Sequence, residues 1–359
     1  MSPSRATREG LFLCPRSTTL TITSPADRQF INADKLVSAS LANLEAATVL
    51  AATVQKQSGD QFDGTVGQAV SIRRPFMLDG NQEGLLPGVG ERPDGKIAVE
   101  SKTESVLNIT LDQHVYSAVQ LTDAELSLEI ADFASQVALP QTDAVVNRLE
   151  RIVAGALEQF SPAEKTTAGK LVIEHVPGDY IDIAQKLRFQ ISFMASELTA
   201  NNIPGSGRFL VLGANVAGLL MNDPNLTRVS EAGTDTALRE AVIGKLYGFT
   251  LIQSNHIDPD SLYAYHPSAV QLVTRAPIVP PSVTFGASQS AAGYALRWIR
   301  DYMSETASER SFFSAYCGIA VVDDIYRDKK TGKVQPAKKV LRGIKAKVEL
   351  KPAAAPLAK

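Results

Sequence analysis

The sequence predicts an α+β protein, on three observations. One amphipathic pattern runs from about residue 121 to Phe160. Two extended segments between residues 65 and 119 flank a stretch of glycines and prolines, and strands alternate with helices between 179 and 275. The chain has 359 residues and 38.5 kDa, with 44% hydrophobic and 21% charged residues, which suits a packed globular protein of two or three units.

Residues 1–30 carry neither period and are rich in Ser, Thr, Pro and Arg, so they read as an arm or upstream extension. From Asn32 the residues Leu36, Val37, Leu41, Leu44 and Leu50 recur at helical spacing, with Asn32 or Asp34 as capping candidates. A short helix is therefore expected within 31–64.

Thr65–Arg74 reads as a strand through Val66, Val70 and Ile72. Pro75–Gly95 holds Gly80, Gly84, Gly88, Gly90 and Gly95 with Pro87 and Pro93, too long for a tight hairpin turn. Lys96–Val119 is extended again, Leu107, Ile109 and Leu111 alternating with Asn108, Thr110 and Asp112. A free two-stranded arm of this length buries too little to be stable alone, so it needs a further surface. A neighbouring copy is the expected surface; a substrate lid would require a catalytic set at its base.

In the long helix, Leu126, Ile130, Phe133 and Val137 fall on one face, with Thr122, Asp123 and Glu125 forming a capping-box pattern. Beyond Pro140 the apolar positions resume as Val145, Leu149, Ile152, Val153, Ala156, Leu157 and Phe160, leaving Arg148, Glu150, Arg151 and Glu158 for solvent. Pro140 is expected to kink the rod or start a second one. On spacing alone this is also an ordinary core helix.

A polar link at Ser161–Gly169 and a strand-like LVIEHV lead to a helix over Ile181–Thr199, with Ile183, Leu187, Ile191, Met194 and Leu198 on its buried face. Strands are expected at Arg208–Leu212, Gly248–Gln253, Ser261–Tyr265 and Ala269–Thr274, with a short helix at Asn215–Met221. Tyr294–Met303, bearing Tyr294, Leu296, Trp298 and Tyr302, and Ser311–Val322 read as a hairpin packed on the long helix.

Charge is uneven. Arg327–Lys359 carries eleven Lys or Arg against Asp328 and Glu349, a net +9, which leaves −11 on residues 1–326. The segment after Arg327 reads as a basic tail, solvated or lying on an acidic neighbouring copy; nucleic-acid binding is less favoured, because no aromatic follows Tyr326. Cys14 and Cys317 form no CxxC pair, which indicates neither zinc nor a disulfide scaffold and fits a reducing compartment. The apolar run Leu11–Cys14 is too short for a signal core, and no run reaches the roughly 20 residues of a membrane span.

Chemical motifs are weak. Phe209–Leu220, FLVLGANVAGLL, has strand, glycine and helix in order, but Gly213 and Gly218 give neither a dinucleotide fingerprint nor a P-loop. Gly205-Ser206-Gly207 precedes the strand, the wrong order for a phosphate cradle. His114, His175, His256 and His266 are scattered, no G-x-S-x-G occurs, and the pairs Asp258/Asp260 and Asp323/Asp324 could hold a cation, but adjacent carboxylates at strand ends are usually solvated. No catalytic residues, cofactor or metal are expected.

Three segments, NADKLVSASLANLE (Asn32–Glu45), LDQHVYSAVQLTDAELSLEIADFASQVALPQ (Leu111–Gln141) and IGKLYGFTLIQSN (Ile243–Asn255), resemble the major capsid proteins of tailed bacteriophages with the Hong Kong 97-type fold, in the coat-protein branch. The likeness spans roughly residues 31–326. It implies an extended loop (E-loop) at 65–119, a peripheral domain with a spine helix at 120–178 and 276–326, an axial domain at 179–275, and a basic tail at 327–359. It also implies a shell of pentamers and hexamers around double-stranded DNA, scaffolding and portal partners, no membrane, and assembly in the host cytoplasm into a virion. Interface residues carried over by element are Arg73, Arg74, Phe76, Leu85, Leu86 and Arg92 in the loop and Arg148 and Arg151 on the spine. No room exists for the inserted β-domain of some coat proteins, and neither 1–30 nor the tail has a counterpart. An encapsulin-like nanocompartment and a nucleotide-binding α/β enzyme are the alternatives.

Overall fold

A computed structural model describes residues 32–58, 69–74, 105–122, 125, 132–164, 166, 169–175, 179–223, 242–327 and 334–352. The chain divides into units Met1–Asn32 and Ala33–Lys359; the elements all belong to the second. Helices α1 (Ala33–Ala47) and α2 (Leu50–Thr53) precede strands β1 (Gln55–Ser58), β2 (Ala69–Arg74), β3 (Ser105–Thr110) and β4 (Gln113–Thr122). Then come α3 (Leu139–Leu157), β5 (Ser161–Pro162), β6 (Lys170–His175), α4 (Tyr180–Ala200), β7 (Arg208–Leu212) and α5 (Ala214–Leu220). Strands β8 (Val242–Leu246), β9 (Phe249–Gln253), β10 (Ser261–Tyr265), β11 (Val270–Arg275), β12 (Phe285–Ala291), β13 (Tyr294–Met303) and β14 (Ser308–Val321) follow. The last are β15 (Asp324–Arg327), β16 (Val334–Lys339) and β17 (Gly343–Pro352).

The first sheet has the order β1-β11-β14-β13-β12, with β4 also paired to β14. β14 is its hub: residues 308–314 lie between β13 and β4, and 316–321 continue against β11. Helix α3 covers one face. Trp298, Phe313, Val115, Leu149 and Val153 are buried there, and the Phe133 ring lies 5.9 Å from Trp298. Among them Gln141 is the polar tie. Its amide donates to the carbonyl of Ser311 (3.0 Å), its oxygen accepts from the Ser311 hydroxyl (2.6 Å), and that hydroxyl accepts from the Trp298 indole (3.0 Å). A closed network of this kind leaves no buried polar group to destabilise the face. The hairpin expected on the spine is therefore present, except that Tyr302 is 57% exposed.

Pro140 lies in a helical run that is continuous from Phe133 to Leu157, just after a π-turn. A π-turn at Ala134–Ala138 precedes α3, the Leu139 amide donates to the Ala134 carbonyl five residues back, and Pro140 sits in the first turn. The widened turn accommodates a residue that has no N–H to give. The capping box also holds: the Thr122 amide donates to Glu125 Oε2 (2.8 Å) and the Glu125 amide to Thr122 Oγ1 (3.4 Å). Leu126 and Ile130 lie outside the described residues.

Glu150 overturns the expectation of a wholly wet outer row. It is 2% exposed and accepts the amides of Val49 (3.0 Å), Leu50 (2.8 Å) and Ala51 (3.0 Å). Those amides open α2, which has no cap of its own, so a carboxylate from α3 supplies the acceptor.

The second sheet runs β5-β17-β10-β7-β9-β8, with β6 also on β17. Helix α4 buries Ile183, Leu187, Ile191, Met194 and Leu198 in one core with Leu210, Leu212, Leu251, Leu262, Ile344 and Ala346. Arg208 closes the end of α4, donating to the carbonyls of Ala195 (3.0 Å), Ile203 (2.6 Å) and Pro204 (2.7 Å) and to Thr199 Oγ1 (3.1 Å).

Here the reading of 327–359 as a solvated tail is corrected for residues 343–352; residues 328–333 and 353–359 lie outside the described residues. Gly343–Pro352 is an interior strand, parallel to β5 and β6 and antiparallel to β10. Ile344, Ala346 and Val348 point inward, while Lys345 donates to the Glu158 carbonyl, Lys347 pairs with Asp258 and Arg342 with Asp324. These three basic residues are engaged within the subunit. Two boundaries shift with it: β11 belongs to the first sheet, and β5 and β6 to the second, because pairing follows register and not chain order.

The chain crosses between the sheets three times, near residues 158–161, 266–269 and 340–343, and the crossings meet. Phe160 lies 5.5 Å from the Tyr265 ring and leaves no space beside Gly343, where a Cβ would sit 2.7 Å from it. The His266 amide donates to the Arg342 carbonyl (3.1 Å), and Arg342 holds Ser268 and Asp324.

Candidate assembly interface

Strands β2 and β3 form the expected antiparallel ribbon, Ala69 opposite Thr110 through Arg74 opposite Ser105, with Arg73 opposite Val106. Its root is fixed on its own subunit. Ile109 is fully buried with Val273, against Leu107, Leu111 and Ala320. The Thr110 carbonyl lies so close over Gly318 that a Cβ there would be 2.3 Å from the oxygen. Val106, Asn108 and Thr110, on the other face of β3, are exposed. The arm is thus shorter than expected: from Gln113 the chain is β4, paired along ten residues with β14, because His114 to Thr122 find a ladder in their own sheet.

The face of the first sheet turned away from α3 carries an aromatic cluster that sequence reading missed. His114 lies 5.3 Å from Tyr116 and 5.2 Å from Tyr316, and Tyr116 stacks on Phe312 at 5.7 Å. Arg297 and Arg310 stand 5.8 Å from the Phe312 ring. Tyr116 is 60% exposed. Burial, and then the charge of Arg297, hold His114 below its usual pKa. Only the β4–β14 register, Tyr316 opposite His114 and Ser314 opposite Tyr116, brings these rings together. Local spacing puts His114 with Tyr116 and Phe312 with Tyr316 on one face of each strand, but does not say that the two strands are neighbours.

Arg148 and Arg151 lie one turn apart on the exposed side of α3. Phe76, Leu85, Leu86 and Arg92 fall outside the described residues.

Among the described residues no three His, Cys, Asp or Glu could jointly hold a metal, and no helix is long and apolar enough to cross a membrane. The nucleotide reading of Phe209–Leu220 fails at the helix start. The amides of Asn215 (3.1 Å) and Val216 (3.3 Å) donate to the Pro259 carbonyl, which fills the position a phosphate would take. A Cβ on Gly213 would meet that oxygen at 2.3 Å, so the glycine serves close backbone packing. A 780 Å³ hollow beside α5 is lined by Tyr180, Asn215, Asp260, Lys347 and Glu349. Its charges bind one another: Lys170 with Glu349 (3.3 Å), Lys347 with Asp258 (2.6 Å), and Asn215 with Asp260 (2.8 Å).

No family model and no curated protein matches the sequence. Solved structures do match the fold. A structure from Mycobacterium phage Che8 aligns with a TM-score of 0.55 at 19% identity, covering 83% of this chain and 90% of the other. The capsid of cyanophage P-SCSP1u gives 0.54 at 13% identity, over 85% and 89%. The mature capsid of bacteriophage PhiM1 gives 0.53 at 13% identity, over 84% and 87%. The chain has the Hong Kong 97-type capsid fold of tailed phages. Among the described residues, the exposed side of β3, the ring face of the first sheet and the outer side of α3 lie on the surface.

Proposed function

We propose that this chain is a major capsid protein that self-assembles, as pentamers and hexamers, into the icosahedral head of a tailed bacteriophage around double-stranded DNA. The ribbon carries this reading: it is rooted by Ile109 on its own sheet, turns an exposed face outward from Val106, and belongs to a fold seen in phage capsids. A strand pair that completes its burial only against another molecule gives area on assembly and not before, and many modest contacts then close a shell.

In that scheme the first sheet with α3 is the peripheral domain, the second sheet the axial domain and the ribbon the E-loop. Arg73, Arg74, Phe76, Leu85, Leu86 and Arg92 of the loop, with Arg148 and Arg151 of the spine, are contact residues between subunits. Scaffolding and portal proteins are the further partners, with assembly in the host cytoplasm before the protein resides in the virion. With β17 part of the subunit the chain is close to neutral, at −2, so the wall has no large net positive charge to hold packaged DNA.

Electron microscopy of the purified protein tests the reading. Closed particles tens of nanometres across are expected. A protein that stays monomeric at every concentration overturns it, and particles filled with protein cargo would replace it by the nanocompartment reading.

A further inference from the structure

We infer that a cationic hollow at one end of the first sheet receives the acidic opposite end of that sheet from a neighbouring copy of this chain. The inference rests on the capsid reading and names one contact between its subunits. The hollow, of 530 Å³, is lined by Lys56, Thr274, Arg275, Ser288, Ser290 and the β12–β13 turn, and by no acidic residue among the described ones. Lys56 Nζ lies 3.9 Å from the centre of the Tyr294 ring, and its stem packs on Gly293, where a Cβ would come within 2.7 Å of it. Among the described residues neither that ammonium nor the Arg275 guanidinium forms an ion pair. Burial lowers the pKa of Lys56 more than nearby Glu45 raises it, so a carboxylate arriving from outside offsets the cost of half-burying the ammonium.

The other end of the sheet has the opposite surplus. Register puts Thr122, Ser308 and Met303 side by side there. Glu125 is tied to Thr122, whose amide (2.8 Å) and hydroxyl (2.9 Å) both donate to it and hold its pKa down. The run from Asp123 to Asp132 also contains Glu129 and has no Lys or Arg. Glu305 is exposed in the turn between β13 and β14 and, among the described residues, has no cationic partner. The arginines of this end are already engaged: Arg300 binds Glu309, and Arg310 binds Asp301 through two nitrogens.

The subunit cannot neutralise one end with the other. Thr122 is opposite Ser308 and Arg275 is opposite Tyr316, eight residues further along β14, which is about 26 Å at the usual strand rise. An ion pair needs a separation of about 4 Å. Two different, complementary patches on one body make a heterologous contact, which closes into a ring when copies follow one another by a suitable rotation. In such contacts charge fixes register and rejects wrong neighbours more than it adds affinity, which suits subunits that the ribbon also holds. Nucleic acid is the poorer occupant. A single-strand groove tracks several phosphates and offers rings to bases, whereas Lys56 and Arg275 are the only cations among the described lining residues and Tyr294 is 1% exposed.

Exchanging the charges tests the contact. K56Q/R275E and E129K/E305K should each leave the unassembled subunit melting within about 2 °C of the native one and give at least tenfold fewer particles. The four changes in one chain make the ends complementary again and should restore the yield; mixed with native chain, that combined variant should sort into separate particles. Normal assembly of either double variant overturns the inference, as does a combined variant that stays deficient or mixes freely with native chain. Loss of the subunit fold in either double variant also overturns it, because these charges would then serve the subunit itself. So does a K56Q/R275E chain that assembles normally but no longer binds a DNA oligonucleotide that the native subunit binds, which would give the hollow to nucleic acid. Failure of the native chain to form particles would strike the capsid reading itself, and this contact with it.

Discussion

Replacing Glu150 by alanine should detach the N-terminal helices from the spine. The native carboxylate, 2% exposed, satisfies three amides at once, those of Val49, Leu50 and Ala51 at 2.8–3.0 Å. An orphaned buried donor costs about 1–3 kcal/mol, so three such donors cost roughly 3–9 kcal/mol. Relief from holding a carboxylate in the interior offsets part of this, and partial entry of water offsets more. A net loss of about 4 kcal/mol is expected, a large share of a typical domain's 5–15 kcal/mol. Glu150→Gln keeps one acceptor oxygen but turns an NH₂ toward amides that also donate, so it should recover only part of the loss. Denaturant unfolding of the unassembled subunit, followed by the fluorescence of Trp298 beneath α3, gives both numbers. A loss below about 1 kcal/mol for Glu150→Ala, or a neutral Glu150→Gln, would refute the claim that this carboxylate caps α2.

Two further perturbations probe the ribbon and the junction. Gly318→Ala places a methyl group 2.3 Å from the Thr110 carbonyl and should lift the ribbon root, lowering stability by about 1–3 kcal/mol and exposing the 105–110 segment to protease; unchanged proteolysis would exclude that close approach. His114 and His266 both have folded pKa values below the usual 6.5, from burial first and then from Arg297 for His114 and from Arg342 and Arg208 for His266. The unfolded chain therefore binds more protons as pH falls from about 6.5, so subunit stability should fall with acidification over that range. His266→Asn, which keeps an acceptor for the Ser268 amide, should flatten the slope, and an unchanged slope would remove His266 from the account.

What was legible in the sequence was whatever repeats along one element. The α4 core face and the β13–β14 hairpin were set by apolar spacing and lie where that spacing put them, and the ribbon strands were set by it in part, since the expected second strand divides at Leu111 between β3 and β4. What was not legible needs a partner far along the chain. Glu150 looks like a solvent residue beside Arg148 and Arg151 until α2 is placed against it. The ring cluster exists only in the β4–β14 register. β17 alternates Ile344, Ala346, Val348 and Leu350 with Lys345, Lys347, Glu349 and Lys351, a clean strand signal that the lysine-rich composition around it obscured.

The place of β17 gives a sharper test of the fold than of any charge effect. Removing 343–359 takes out the strand between β10 and the parallel pair β5 and β6, so Leu262 and Ala264 lose their neighbours and the second sheet is cut in two. Burying Ile344 and Val348 alone is worth about 1.5–3 kcal/mol each, and the cut also leaves the backbone groups of β10 and β6 without partners inside a core. The sum rivals the whole stability of a domain, so the truncated chain should be insoluble or protease-sensitive throughout the second sheet. Removing only 353–359 leaves β17 whole and should leave solubility and particle yield unchanged. Were the longer truncation soluble and assembly-competent, β17 would be no part of the core, and the basic segment would again be free to meet DNA.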